Sequence, residues 1–197
     1  IDHGDGSGMN LMNLASGEWD EALVSATAEG LAEKLPAVAL SATLSGSISS
    51  YFVEKYGFSS ECETVIWSGD NPCSLIGMGA AMPGKIVISL GTSDTLFAAM
   101  SEAKTDPQGF GHAFGNPAGG YMSLICFKNG SLAREAVKNE FDLEWSAFEK
   151  EGLAETPIGN WGLMMLPFYE PEITPLLDTG GPIFSEEGER SAAQVAR

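Results

Sequence analysis

Positive charge is scarce in this chain: 10 Lys and Arg among 197 residues stand against 27 Asp and Glu, a formal net charge of -17. Such a surface repels phosphodiester backbones and anionic lipid heads, which argues against nucleic-acid and membrane-surface binding. It also constrains how a phosphate-bearing ligand could be held. Backbone N–H groups, hydroxyls or a metal ion would have to do the work of cationic side chains. Long apolar runs are missing as well. The best candidates, Ile86 to Leu90 and Leu163 to Phe168, fall far short of the roughly 18 residues of a membrane-spanning helix, so a soluble protein is expected. Cysteine is sparse: Cys62, Cys73 and Cys126 are an odd set without the close pairing of a zinc or redox motif. Buried free thiols and a cytoplasmic location are the expectation. What is present is a composition of 44% hydrophobic and 9% aromatic residues, enough for a real core and too much for a disordered chain.

The chain opens at Ile1 without an initiator Met and stops at Arg197 inside a helical pattern, Glu189 to Arg197. A segment of a longer protein is expected, with the best internal boundary near Met82-Pro83-Gly84. Asp2 to Gly8 reads as a glycine-rich loop, and Glu18 to Lys34 as a helix ending before Pro36. A second amphipathic helix carries Ile48, Tyr51, Phe52 and Tyr56 and is stopped by Gly57. Thr64 to Trp67 then reads as a short buried strand, running into Ser68-Gly69-Asp70-Asn71-Pro72 with Pro72 opening the next helix. Two β-rich runs, Lys85 to Leu90 and Thr95 to Met100, flank a small polar turn, as in a hairpin. Asp106 to Gly120 reads as a loop, Tyr121 to Phe127 as a strand, and Asn129 as the cap of a helix through about Asn139. The acids between Glu140 and Glu155 form the solvated face of a helix with Phe141, Trp145 and Phe148, and Met164 and Met165 read as strand core. Strands alternating with helices argue for an α/β fold.

Several motif matches fail on inspection. Gly79 to Ile86 nearly reproduces a Walker A loop, but Ile86 stands where a Ser or Thr must meet magnesium, and the segment enters a strand instead of leaving one. Asp2 to Asn13 has glycines at calcium-ligand positions and no closing Glu. His3 and His112 have no second ligand at metal spacing, and no Gly-x-Ser-x-Gly elbow occurs.

Two constellations survive. Asp70 emerges at a strand-to-helix corner, where a rigid element can hold a carboxylate against a substrate hydroxyl as general base, and Asn71 can both donate to and accept from sugar hydroxyls. At the hairpin tip, Gly91 permits close backbone approach, while the hydroxyls of Thr92 and Ser93 and the local N–H groups can hold phosphate oxygens without any Lys. Taken singly, each is also an ordinary turn.

The ordered set Asp5-Gly6-Ser7-Gly8-Met9-Asn10-Leu11, Gly46-Ser47-Ile48-Ser49, Ser68 to Pro72, Ser89 to Phe97 and Cys126 to Leu132 is far more specific. Across nearly the whole chain it resembles the FGGY carbohydrate kinases, and among them the eukaryotic-type xylulose kinases. The resemblance implies an actin-like, ribonuclease H-like ATPase fold in two domains, with residues 1–82 ending the sugar-binding domain and 83–197 beginning the nucleotide-binding domain. It further implies ATP with Mg²⁺, D-xylulose as acceptor and D-xylulose 5-phosphate as product. In the matching motifs Asp70 would be the general base and also a candidate to approach Mg²⁺, Asn71 would hold the sugar, and Gly91, Thr92 and Ser93 would lie at the ATP phosphates. Trp145 falls where the family has an aromatic near the nucleotide, although its helical spacing with Phe141 and Phe148 fits a core residue equally well. Two departures stand out: the family's first Asp-x-Gly-Thr/Ser phosphate loop and its Gly-Gly adenine loop are both absent, so the isolated chain is expected to have little or no kinase activity. The alternatives are an FGGY kinase for another ketose or polyol, or a non-catalytic sugar-binding fragment.

Overall fold

The computed structural model describes the backbone of all 197 residues and every side chain except those of Glu151 and Leu153. The chain divides into two compact units, one of Ile1–Val87 with Phe97–Leu124 and one of Ile88–Leu96 with Ile125–Arg197.

The first unit opens with α1 (His3–Gly8), where a loop was expected. Asp2 makes the helix possible by accepting from the Asp5 N–H at 2.8 Å, and the glycines are needed for space. A Cβ on Gly4 would come 2.5 Å from Ser68 Oγ and 3.2 Å from the Gly115 carbonyl. The antiparallel pair β1 (Met12–Asn13) and β2 (Glu18–Trp19) leads to α2 (Glu21–Thr27). The long helix expected over Glu18 to Lys34 is therefore much shorter. Asp20 caps it through the N–H groups of Ala22 and Leu23, and Gly30, with φ at +70°, breaks the chain direction before a single 3₁₀ turn at Ala32–Lys34.

Strand β3 (Leu44–Ser47) pairs antiparallel with β4 (Glu63–Val65), and α3 (Ser50–Tyr56) lies between them in sequence. The Gly57 stop is as expected: it ends α3 in the left-handed region, its N–H on the Val53 carbonyl. Burial is not as expected. All of β4 is exposed, and Tyr51, Phe52 and Tyr56 of α3 are exposed and packed on one another. β4 is followed by α4 (Asp70–Gly77).

Next come β5 (Ile86–Ser89), β6 (Asp94–Met100), β7 (His112–Gly115) and β8 (Tyr121–Phe127), in a four-stranded sheet of order β5-β6-β8-β7. β7 falls inside what reads as a continuous loop over Asp106 to Gly120, and it pairs antiparallel with β8 from Gly115 opposite Tyr121 to His112 opposite Leu124. The polar turn between β5 and β6 is where the hairpin reading puts it. Phe97, Ala99, Met122 and Leu124 of this sheet and Leu75 of α4 are buried.

The second unit adds α5 (Ser131–Glu140), α6 (Trp145–Ala154), the antiparallel pairs of β9 (Met165–Leu166) with β12 (Ile183–Phe184) and of β10 (Glu172–Ile173) with β11 (Leu176–Leu177), and α7 (Ala192–Ala196). Ser191 and Gln194 close a reciprocal capping box on α7, which packs on α5 and α6. Asn129 is not the cap of α5; Gly130 is, and the Asn129 side chain turns elsewhere. Met164 was expected in strand core but is 70% exposed just before β9. The three cysteines are free and half-buried. Among the described residues, no helix is long and apolar enough to cross a membrane.

Candidate functional site

Asp70 is the first residue of α4, with Gly69 as its N-cap. An acid here faces the positive end of the helix, and Pro72, buried in the same first turn, lacks only an N–H that the helix would not use. The turn is closed by the Cys73 N–H on the Gly69 carbonyl at 3.0 Å, and Leu75, with no exposed surface, anchors the helix from below. The Asp70 side chain is exposed; Oδ1 accepts from the Asn71 N–H at 2.7 Å, which orients the carboxylate while leaving Oδ2 without a bond among the described residues. Asn71 beside it is half-buried.

The surroundings of this corner are acidic. Asp5 Oδ1 would lie 3.0 Å from a Cβ on Gly69, so glycine makes room for a second carboxylate. Asp2 is 1% exposed, and its Oδ2, like Ser68 Oγ, is buried without a hydrogen-bond partner among the described residues. The Cys73 thiol senses the same field. Burial pushes it above its ordinary value, its bond to the Ser68 carbonyl opposes that, and the charges of Asp2, Asp70 and Asp5 add to the upward push.

The turn Gly91-Thr92-Ser93 lies in the other unit and is built differently. Thr92 and Ser93 are exposed. Beneath them Arg134 of α5 grips Asp94 through both guanidinium nitrogens, Nη1 to Oδ2 at 3.1 Å and Nη2 to Oδ1 at 3.2 Å, and Nη2 also donates to the Gly91 carbonyl at 3.3 Å. Asp94 Oδ1 in turn accepts from the Gly91 N–H at 3.2 Å, and the Ser131 N–H donates to the Gly91 carbonyl at 2.7 Å. The turn does have a cation beside it: Arg134, although its charge is engaged by Asp94. A signal for it was in the sequence, because Arg134 is one of only three arginines and follows Asn129-Gly130-Ser131 by a single helical turn.

Close by in the same unit, Glu172 is 1% exposed. It accepts from the N–H groups of Lys128 at 2.8 Å, Asn129 at 3.1 Å and Ile173 at 2.7 Å, and from Asn129 Nδ2 at 2.9 Å. Burial by itself would push this carboxyl up, but these four bonds outweigh it, and the group titrates below the usual carboxylate range. Nothing in the sequence marks Glu172 among so many acids, since its burial comes entirely from tertiary contacts.

A cavity of about 600 Å³ in the second unit is lined by Asp94, Gly130, Arg134, Phe148, Asn160 and Met165, among others. Trp145, at the start of α6, is 45% exposed, so the core alternative does not hold for it. Its ring meets Phe148 edge-on with centroids 5.5 Å apart, and Lys138 Nζ stands 5.9 Å from its centre. No cluster of three or more His, Cys, Asp or Glu among the described residues could hold a metal ion.

No family model matches the chain. Curated proteins do. The chain is 46% identical over 178 residues to the xylulose kinase of Rattus norvegicus, covering 89% of this chain and 32% of that protein. It is 42% identical over 183 residues to xylulose kinase 2 of Arabidopsis thaliana, covering 91% and 32%. The chain thus spans about a third of the length of the curated relatives it matches. Among solved structures, the ligand-bound xylulose kinase from Lactobacillus acidophilus superimposes on all of this chain and 41% of its own with a TM-score of 0.83 at 21% identity. A gluconate kinase from the same organism does so with a TM-score of 0.82 at 22% identity, again over 100% of this chain and 41% of its own. Over most of its length the chain is similar in sequence to about a third of a xylulose kinase, and it has the fold of the corresponding part of these carbohydrate-kinase structures.

Proposed function

We propose that the complete protein containing this chain transfers the γ-phosphoryl group of ATP to the 5-hydroxyl of D-xylulose, giving D-xylulose 5-phosphate and ADP. The observation that carries this reading is Asp70: an exposed carboxylate fixed at the first residue of α4, with one oxygen oriented by the Asn71 N–H and the other free. Its 46% identical relative is named for xylulose, which favours that acceptor. Asp70 takes the hydroxyl proton as the sugar oxygen bonds to phosphorus and the bond from phosphorus to the ADP oxygen breaks. Asn71 has the donor and acceptor a sugar hydroxyl needs. The Gly91-Thr92-Ser93 turn takes the ATP phosphates on its hydroxyls and backbone, and Trp145 serves the adenine side. A nucleotide would be accommodated by the second unit, whose cavity of about 600 Å³ is of suitable volume.

The domain division accompanying this reading is 1–82 for the end of the sugar-binding domain and 83–197 for the start of the nucleotide-binding domain. Mg²⁺ fits the donor set in one way. Among the described residues there is no ready-made protein cage for it, but a divalent ion that keeps most of its waters and binds substrate phosphates needs only one or two carboxylates, and Asp70 has an oxygen to offer. When bound, the ion neutralises charge on the transferring phosphoryl group. With three free thiols and no membrane-spanning helix among the described residues, a cytoplasmic location suits this chemistry.

A different FGGY substrate is the second reading, because the gluconate kinase has nearly the same fold likeness as the xylulose kinase. The test is to express the complete reading frame that contains this sequence and measure acceptor-dependent ADP release with D-xylulose, other ketoses, gluconate and glycerol. Preference for D-xylulose, lost in Asp70→Ala, supports the proposal. Preference for another acceptor selects the second reading, and activity surviving in Asp70→Ala removes Asp70 from the chemistry.

A further inference from the structure

We propose that Glu172 is a positioning residue for the Gly91-Thr92-Ser93 turn, acting through Asn129 and Gly130, and that it governs affinity for the nucleotide and not for the sugar. The inference rests on the reading of that turn as the phosphate site.

A buried carboxylate is costly unless its oxygens are fully engaged, and Glu172 is engaged entirely by neutral N–H groups. Three of these bonds go to one dipeptide, Lys128-Asn129. The same dipeptide is tied a second time, since Asn129 Nδ2 donates to the Glu170 carbonyl at 3.0 Å and Asn129 Oδ1 accepts from the Glu170 N–H at 2.9 Å. Asn129 is thereby saturated on both sides of its amide and cannot swing away. The next residue meets the turn. Gly130 caps α5, and the turn leaves no space for a side chain on it. A Cβ would come 2.5 Å from the Thr92 carbonyl oxygen, 2.7 Å from that of Gly91 and 2.8 Å from the Asp94 N–H nitrogen. One residue further, the Ser131 N–H holds the Gly91 carbonyl. Any shift of Lys128-Asn129 is therefore delivered to the carbonyls of Gly91 and Thr92, and so to the orientation of the peptides around which phosphate oxygens would be bound. A glutamine at 172 cannot reproduce the carboxylate, because its one carbonyl oxygen cannot accept all of these bonds and its NH₂ would face the N–H groups that now donate.

The test uses the complete protein and separates the KM for ATP from the KM for the acceptor. In Glu172→Gln, the KM for ATP is expected to rise about tenfold while the KM for D-xylulose stays within about twofold. Gly130→Ala, which pushes on the same turn without touching the carboxylate, should give the same split. Should Glu172→Gln fail to fold, Asn129→Ser, which removes the side-chain bonds to Glu170 and Glu172, decides in its place. A rise in the KM for ATP alone supports positioning. Unchanged constants with a lower melting temperature, or equal rises in both KM values, overturn it. Absence of D-xylulose-dependent ADP release in the unmodified protein is the failure of the functional reading instead, and is scored before any variant is made.

Discussion

The Asp70 corner and the Gly91 turn both present polar groups at a bend, yet the first is held by its own backbone and the second by side chains from far along the chain. At Asp70, the only orienting bond among the described residues is to the next residue, and the neighbouring charges, Asp2 and Asp5, are of the same sign. At Gly91, Arg134 binds both Asp94 and the Gly91 carbonyl, Gly130 lies against the turn, and Glu172 fixes the residues leading to Gly130. Under the function proposed above, in which Asp70 is the base and the Gly91 turn the phosphate cradle, the difference follows from what each bend would supply. A base must keep its charge free, so its partners are neutral and few, whereas a backbone cradle must keep still, so the charges around it are spent on one another.

The sharpest way to break the comparison is at Asp70. In the complete protein, Asp70→Asn should lower kcat by about 10³-fold without moving the melting temperature, because the side chain is exposed and supports nothing but its own orientation; steady-state kinetics with a thermal melt checks both halves. The foundation of that corner is a different matter. Leu75→Ala, at a fully buried position of α4, should cost about 2–5 kcal/mol of stability in urea unfolding. Arg134→Met strips the turn of its clamp and leaves Asp94 unpaired. Since the ion pair is partly exposed, the loss in urea unfolding should be only about 1 kcal/mol, accompanied by a higher KM for ATP.

The smallest effect is expected from pH. Glu172 titrates lower in the folded protein than in the unfolded chain, so its contribution is complete above the ordinary carboxylate range and is lost as pH falls through the folded value. The difference in melting temperature between the protein and Glu172→Gln should accordingly be largest near about pH 7 and shrink towards about pH 3. A constant difference across that interval would mean that the charge of Glu172 is irrelevant to its bonds.

Much of the local structure was legible from residue pattern. Tyr121–Phe127 is a strand to the residue, Gly57 stops α3, and the polar tip between β5 and β6 lies where two β-rich runs put it. These features depend on neighbours in sequence. α1 was illegible for the opposite reason: three glycines in Gly4 to Gly8 argue for a loop, and the helix exists because Asp2 caps it and because Ser68 and Gly115 leave no room for a side chain at Gly4. β7 was hidden in a glycine-rich stretch and is held by pairing with β8. The long helix after Trp19 ends at Thr27, where Ala28 turns extended, and the positive φ of Gly30 keeps it from resuming.

The candidate site divides along the same line. Asp70, Asn71 and the Gly91-Thr92-Ser93 turn could be named from residue type and position, since a carboxylate at a strand-to-helix corner and hydroxyls beside a glycine are local chemistry. So was the charge balance that argues against nucleic-acid binding. The tertiary structure alone decided that Arg134 closes on Asp94, that Asn129 abandons the helix cap for Glu172, and that this acid among 27 is buried against a dipeptide far from it in sequence. Burial and long-range hydrogen bonds depend on which surfaces meet, and spacing along a chain carries no record of that.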